Sequence, residues 1–195
     1  MPNIDVKKRR IQSKVVYYGP GRSGKTSVLR YIHGHLEEEK RGRLAEIPTK
    51  NDPSLKLDVL PVRFGKIIDF ATVFHLCSGP GVASAVSTRR LLLRDTDGIV
   101  FVADSAPRRR MANQDSFSEL QENLDSYGLT LREVPYVVQY HKRDLEDPLP
   151  VAELREDLNP RGVPEFESSV VSGEGVLDAL RAVGRLVTED LRRRL

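Results

Sequence analysis

The sequence predicts an α/β chain, doubly wound in three layers around a mostly parallel six-stranded sheet with one antiparallel edge strand. Three observations predict it. Apolar runs alternate with stretches of helical periodicity along the chain, the pattern of strands joined by crossover helices. The first such pair, Lys14-Val15-Val16-Tyr17-Tyr18 and Ser27-Val28-Leu29-Arg30-Tyr31-Ile32, brackets Gly19-Pro20-Gly21-Arg22-Ser23-Gly24-Lys25-Thr26, a complete phosphate-binding loop in its strand–loop–helix setting. The second and third apolar runs are separated only by Phe64-Gly65-Lys66-Ile67-Ile68-Asp69, too short for a helical crossover, so they pair as a hairpin.

In order, strands are predicted over 12–18, 55–63, 70–77, 98–103, 135–140 and 165–171, and helices over 25–36, 85–94, 112–126, 150–157 and 175–191. Tyr127-Gly128 supplies a stop for the third helix. In the last helix Val176, Leu180, Val183, Val187 and Leu191 form one apolar stripe for the sheet. Residues 37–54 are long, charged and aperiodic. Directly after the phosphate-loop helix, such a segment is the expected place for a mobile, phosphate-sensing loop. No repeat or linker interrupts the 195 residues, which predicts one domain over 1–195 with a basic tail at 1–10.

Composition excludes several classes. Hydrophobic residues at 39% and charged residues at 30% suit a folded chain rather than a disordered one. No run approaches the roughly twenty apolar residues of a membrane span. Met1-Pro2-Asn3-Ile4-Asp5 has no secretory apolar core, Pro2 replaces the glycine of a myristoylation site, and no cysteine precedes the C-terminus. The expectation is a cytoplasmic protein without a membrane anchor. The single Cys77 excludes an intrachain disulfide and, at the end of an apolar run, reads as core. Net charge is +3, and cations cluster at Lys7-Lys8-Arg9-Arg10, Arg108-Arg109-Arg110 and Arg192-Arg193-Arg194. Each run reads as a solvated face, or as a weak patch for a membrane surface or acidic partner. Aromatics are not interleaved with them, so no nucleic-acid partner is expected.

The phosphate loop carries the strongest chemistry. Its backbone N–H groups and the helix N-terminus converge on a β-phosphate. Lys25 would bridge β- and γ-phosphate oxygens and the Thr26 hydroxyl would ligate Mg²⁺. Gly19, Gly21, Arg22, Ser23, Gly24, Lys25, Thr26 and Ser27 form the candidate phosphate site.

Further on, Gln139-Tyr140-His141-Lys142-Arg143-Asp144 follows an apolar strand and resembles the Asn-Lys-x-Asp base-reading motif of small GTPases, with His141 in the Asn place. With Phe101-Val102-Ala103-Asp104-Ser105 and the Ser169-Val170 turn, the chain resembles the Ras superfamily. More closely it resembles the bacterial polarity and gliding-motility GTPases of the MglA type. That match rests on Tyr17-Tyr18-Gly19-Pro20-Gly21, on Asp97-Gly98-Ile99-Val100-Phe101-Val102-Ala103-Asp104-Ser105-Ala106-Pro107, and on Glu122-Asn123-Leu124 with Tyr127-Gly128-Leu129-Thr130-Leu131. It spans about residues 11 to 190. The resemblance implies the P-loop small-GTPase fold, GTP or GDP with Mg²⁺, and two switch regions. It also implies a monomer that joins a Roadblock-domain (MglB-type) dimer acting as GTPase-activating partner or other polarity effectors, and placement at a cell pole. It assigns His141, Lys142, Asp144, Ser169 and Val170 to the base. Asp144 would accept from the guanine N1–H and 2-amino group, which adenine lacks.

The switch segments depart from the family. In Thr49-Lys50-Asn51-Asp52-Pro53-Ser54, Ser54 keeps a hydroxyl that could ligate Mg²⁺, while Pro53 stands where the family carries its intrinsic arginine. In Ser78-Gly79-Pro80-Gly81-Val82, Gly81 keeps the N–H that senses γ-phosphate and Val82 replaces the water-orienting glutamine. Asp58 is either an outer carboxylate for Mg²⁺ or an exposed strand position. Phosphoryl transfer depends on positioning and charge, and an arginine finger alone contributes about 10³–10⁵ in rate. Hydrolysis is therefore expected to be very slow or absent, and no catalytic residue is assigned. Arg22, Arg41 or Arg43 could stand in for the finger. Two readings follow: a GTP-binding switch with little hydrolysis, and a pseudo-GTPase interaction module with structural or no nucleotide. A P-loop kinase or ATPase is disfavoured by Asp144.

Overall fold

The structure, a computed structural model, describes residues 3–49, 52–82 and 85–194. Met1 and Pro2 of the predicted tail, Lys50 and Asn51 of the predicted sensing segment, and Ala83, Ser84 and Leu195 lie outside the described residues. The elements are β1 (Asn3–Asp5), β2 (Arg10–Tyr18), α1 (Lys25–His35), β3 (Ala45–Pro48), β4 (Lys56–Ile67), β5 (Phe70–Ser78), α2 (Val86–Leu93), β6 (Gly98–Asp104), α3 (Arg110–Asp125), β7 (Tyr136–His141), α4 (Val151–Leu158), β8 (Glu165–Ser168) and α5 (Val176–Arg194).

The strands form one sheet in the order β3-β4-β5-β2-β6-β7-β8, with β1 paired to β2. β2 is parallel to both β5 and β6, and β7 and β8 continue in parallel. The antiparallel portion is β3-β4-β5 together with β1. Alternation along β6 shows why three layers result. Val100 and Val102 face a core with Val28, Leu29 and Ile32 of α1 and Leu180, Val183 and Val187 of α5. Ile99, Phe101 and Ala103 face a second core with Leu93 of α2, Phe117 and Leu120 of α3 and Leu154 of α4. Every residue of β6 is buried, as a parallel strand covered by helices on both faces requires.

Two short strands add to the six predicted. β3 falls inside the segment read as an aperiodic loop; its side chains are half-buried or exposed, so no apolar alternation marks it, and Pro48 suits an edge. β1 occupies part of the expected tail and pairs with Arg10–Gln12, on the same edge of β2 as β6 but at the stretch that β6 does not reach. The predicted hairpin is tighter than expected: β4 runs to Ile67 through a bulge between Arg63 and Lys66, leaving Ile68 and Asp69 as the turn. At the other end of the chain, β8 stops at Ser168, three residues before its predicted limit, freeing Ser169 and Val170.

Because β2, β5, β6, β7 and β8 point the same way, their carboxyl ends open on one edge of the sheet. The phosphate loop, Ser78–Gly81, Asp104-Ser105, His141–Asp144 and Ser168–Val170 all leave from that edge, where doubly wound sheets bind ligands.

Candidate functional site

A cleft of about 400 Å³ at this edge is lined by Arg22, Gly24, Lys25, Thr26, Ser27, Glu46, Lys56, Asp58, Gly79, Pro80 and Gly81. The phosphate loop wraps the buried Lys25 ammonium, which donates to the carbonyls of Gly19 and Pro20, each at 2.8 Å. Burial lowers the Lys25 pKa to about 8, and the guanidiniums of Arg89 and Arg109 push the same way while Asp58 opposes them. A phosphate offers this under-compensated cation a stronger partner than two carbonyls. Gly24 has φ 100, and a Cβ there would lie 2.6 Å from the His141 ring. The loop thus needs glycine for both conformation and space. Arg22 and Ser27 are exposed at the cleft, and Ser23 is buried with no partner for its hydroxyl among the described residues.

Three oxygens from distant segments meet beside Lys25. Thr26 Oγ1 donates to Asp58 Oδ2 at 2.6 Å, and Ser78 Oγ donates to the same oxygen at 2.8 Å. Asp58 is 8% exposed, so it is a buried carboxylate gripping the Thr26 hydroxyl and not an exposed strand position. Hard oxygen donors of this kind suit Mg²⁺; Thr26 would meet the ion and Asp58 would stand behind it. Ser54 is not brought to this cluster. It is exposed, and its hydroxyl and N–H both donate to Asp52 Oδ1, at 2.6 and 2.9 Å, in a local turn.

The base side is assembled from β7 and β8. His141 is 1% exposed and packs beneath Gly24, with Nδ1 2.9 Å from Ser168 Oγ. Burial lowers its pKa to about 4, so it is neutral near pH ~7. Lys142, left-handed at φ 66, donates to the Arg22 carbonyl at 2.8 Å and to Asp104 at 2.7 Å, tying the base motif to the phosphate loop. Asp144 is exposed and accepts from Ser169 Oγ at 2.5 Å. Ser169 also accepts from the Val171 N–H, which fixes the turn that includes Val170.

Arg89 and Arg109 were not anticipated. Arg109, from a run read as a surface patch, donates to the Gly21 carbonyl at 2.6 Å. Arg89 grips Glu119 with two nitrogens, at 2.7 and 2.8 Å, and donates to the Val82 carbonyl at 2.7 Å. Glu119 in turn accepts from Tyr18 at 2.5 Å, so α3 anchors the loop carrying Gly81. The helical spacing of α3 puts Glu119 on one face, but no local signal pairs it with Arg89. Of the three arginines considered as finger substitutes, only Arg22 lines the cleft; Arg41 donates to the His33 carbonyl on α1. Cys77 is buried and its pKa is raised to about 11 by burial, consistent with a core residue.

A phosphate loop, a hydroxyl–carboxylate pair for a divalent ion and an exposed carboxylate beyond Lys142 define a P-loop nucleotide-binding domain of the small-GTPase class. The model of the ADP-ribosylation factor family matches residues 4–187, and the chain belongs to that family. It is also 42% identical over 193 residues to the mutual gliding-motility protein MglA of Myxococcus xanthus (strain DK1622), covering 99% of either chain, which makes it a small GTPase of the MglA type. Members of the family generally bind GTP and GDP with Mg²⁺. Among the described residues no helix is long and apolar enough to cross a membrane.

Proposed function

We propose that the chain is a guanine-nucleotide switch that controls cell polarity or motility and hydrolyses GTP very slowly on its own. The observation that carries this reading is an asymmetry. The gripping groups are assembled, with Lys25 buried in the phosphate loop and Thr26 hydrogen-bonded to Asp58. The two positions that would act on water and on transition-state charge carry only hydrocarbon: Val82, 50% exposed, and the exposed Pro53.

In this reading the phosphate-loop N–H groups and Lys25 hold the β- and γ-phosphates, and Asp144 selects guanine. Mg²⁺, held by Thr26 with Asp58 behind it, supplies neutralisation of the phosphate charge. Ser54 would join the ion only after leaving Asp52. His141 takes the Asn place by filling the space beneath Gly24. A Roadblock-domain dimer of the MglB type is the partner proposed to act on the switch, and the name of the Myxococcus relative supports a motility process.

The test is to denature purified protein, identify the released nucleotide, and titrate fluorescent GDP, GTP and ATP analogues. Guanine-selective binding with negligible turnover is expected. Failure to bind any nucleotide would leave the interaction-module reading. Restoring both groups with Val82→Gln and Pro53→Arg is expected to raise hydrolysis; an unchanged rate would place the defect elsewhere.

A further inference from the structure

At the sheet edge opposite the nucleotide cleft, two hairpin tips form one exposed surface. β2 and β5 are parallel with Arg10 opposite Ala71, so the β1–β2 turn and the β4–β5 turn lie side by side. The Ala71 N–H donates to the Arg9 carbonyl at 2.8 Å and closes the seam. Lys7, Lys8, Arg9 and Arg10 come from one hairpin and Arg63 and Lys66 from the other, all exposed. The carboxylates within the two hairpins are Asp5, which accepts from the Lys8 N–H at 3.0 Å, and Asp69. Six cations less two carboxylates give +4, against +3 for the whole chain, so the other residues together carry −1. The two tips are strongly cationic relative to the rest of the chain.

Each tip also projects an aliphatic side chain. Val6 and Ile68 are each 71% exposed. Ile68 holds φ 55, a left-handed conformation that disfavours a β-branched residue and that Gly, Asn or Asp would occupy with less strain. The turn therefore carries both strain and exposed apolar surface in the middle of a cationic face. Strain of this kind, held in place by surrounding structure, points to use.

We propose that this pole docks on an anionic phospholipid surface. The lysines and arginines meet the headgroups, and Val6 and Ile68 reach the headgroup–acyl boundary. Nucleic acid would leave these aliphatic tips without a partner, and the aromatics of this hairpin, Phe64 and Phe70, pack against the core instead of offering a face to a base. Docked this way, the nucleotide edge faces away from the lipid and stays open to partners.

The experiment is co-sedimentation of the full chain with vesicles of phosphatidylcholine alone and of phosphatidylcholine with phosphatidylserine, at low and high salt. Binding is expected only to the anionic vesicles, weakening with salt. Lys7→Ala and Lys66→Ala should each lower partitioning about fivefold. Val6→Ser with Ile68→Asn should lower it further at high salt. Asn tolerates the left-handed turn, so the melting temperature of the Ile68→Asn variant should hold or rise, separating lost docking from lost folding. Equal binding to neutral vesicles, or none to either, overturns the proposal. So does tighter binding to duplex DNA than to the anionic vesicles, or partitioning that ignores Val6 and Ile68.

Discussion

Gly21 of the phosphate loop and Gly81 of the loop after β5 lie backbone against backbone. A Cβ on Gly21 would sit 2.3 Å from the Gly81 carbonyl oxygen, and a Cβ on Gly81 would sit 2.4 Å from the Gly21 Cα. Neither glycine has a positive φ, so space and not backbone freedom demands them. The loop proposed to sense γ-phosphate thus touches the loop proposed to hold it, and Arg89 braces the contact through the Val82 carbonyl.

Gly81→Ala should push that loop off the phosphate loop. Overpacking of this kind costs about 1–3 kcal/mol. The expected outcome is a protein that still binds GDP but discriminates GTP from GDP less well. Fluorescent-analogue titrations of both nucleotides check it; an unchanged affinity ratio would show that the contact is not read out.

Asp58→Ala removes the acceptor shared by the Thr26 and Ser78 hydroxyls. Losing such an outer partner typically weakens metal binding by about 10–100-fold. The Mg²⁺ concentration needed for half-maximal GTP-analogue binding should rise by that order, while metal-free nucleotide binding changes little. Titration with Mg²⁺ at fixed nucleotide decides it.

Asp144→Ala leaves the fold alone, because Asp144 is exposed and accepts its hydrogen bond from Ser169 on the neighbouring turn. Hydrogen bonds to a charged group contribute about 1.5–3 kcal/mol each, so GDP affinity should fall at least tenfold while ADP affinity stays put. Competition between the two diphosphates measures the change.

His141 gives the protein an acid-sensitive fold. Burial holds its pKa to about 4 against the usual 6.5. Above 6.5 neither the folded nor the unfolded state binds this proton, and the residue costs nothing. As pH falls from 6.5 towards 4 the unfolded state takes up the proton first, so stability is lost. Around pH ~5 the loss is about 2 kcal/mol. His141→Asn lacks this titration. Its melting temperature should fall less than that of the wild type between pH ~7 and pH ~5; parallel curves for the two proteins would refute the assignment.

Much of this protein is determined by its sequence alone, because short-range physics writes it there. The phosphate loop is one such case: the glycine spacing of 19–26 requires a backbone that only the strand–loop–helix setting provides. The strand–helix alternation and the apolar stripe of α5 likewise need no partner to be legible. Weakly buried strands are not legible, and β1 and β3 show why: neither turns an apolar face inward. Tertiary structure alone decided which distant groups meet. Thr26 and Asp58 are 32 residues apart, and Gly21 and Arg109 are 88 apart. Their contacts exist because β4 pairs beside β5 and the parallel strands end on one edge, a strand order that no local pattern carries. The same order joined two basic turns into one pole and left Ser54 outside the Thr26–Asp58–Ser78 cluster. Hydrogen bonds and charge act over a few ångströms of space, whereas sequence records neighbours along the chain.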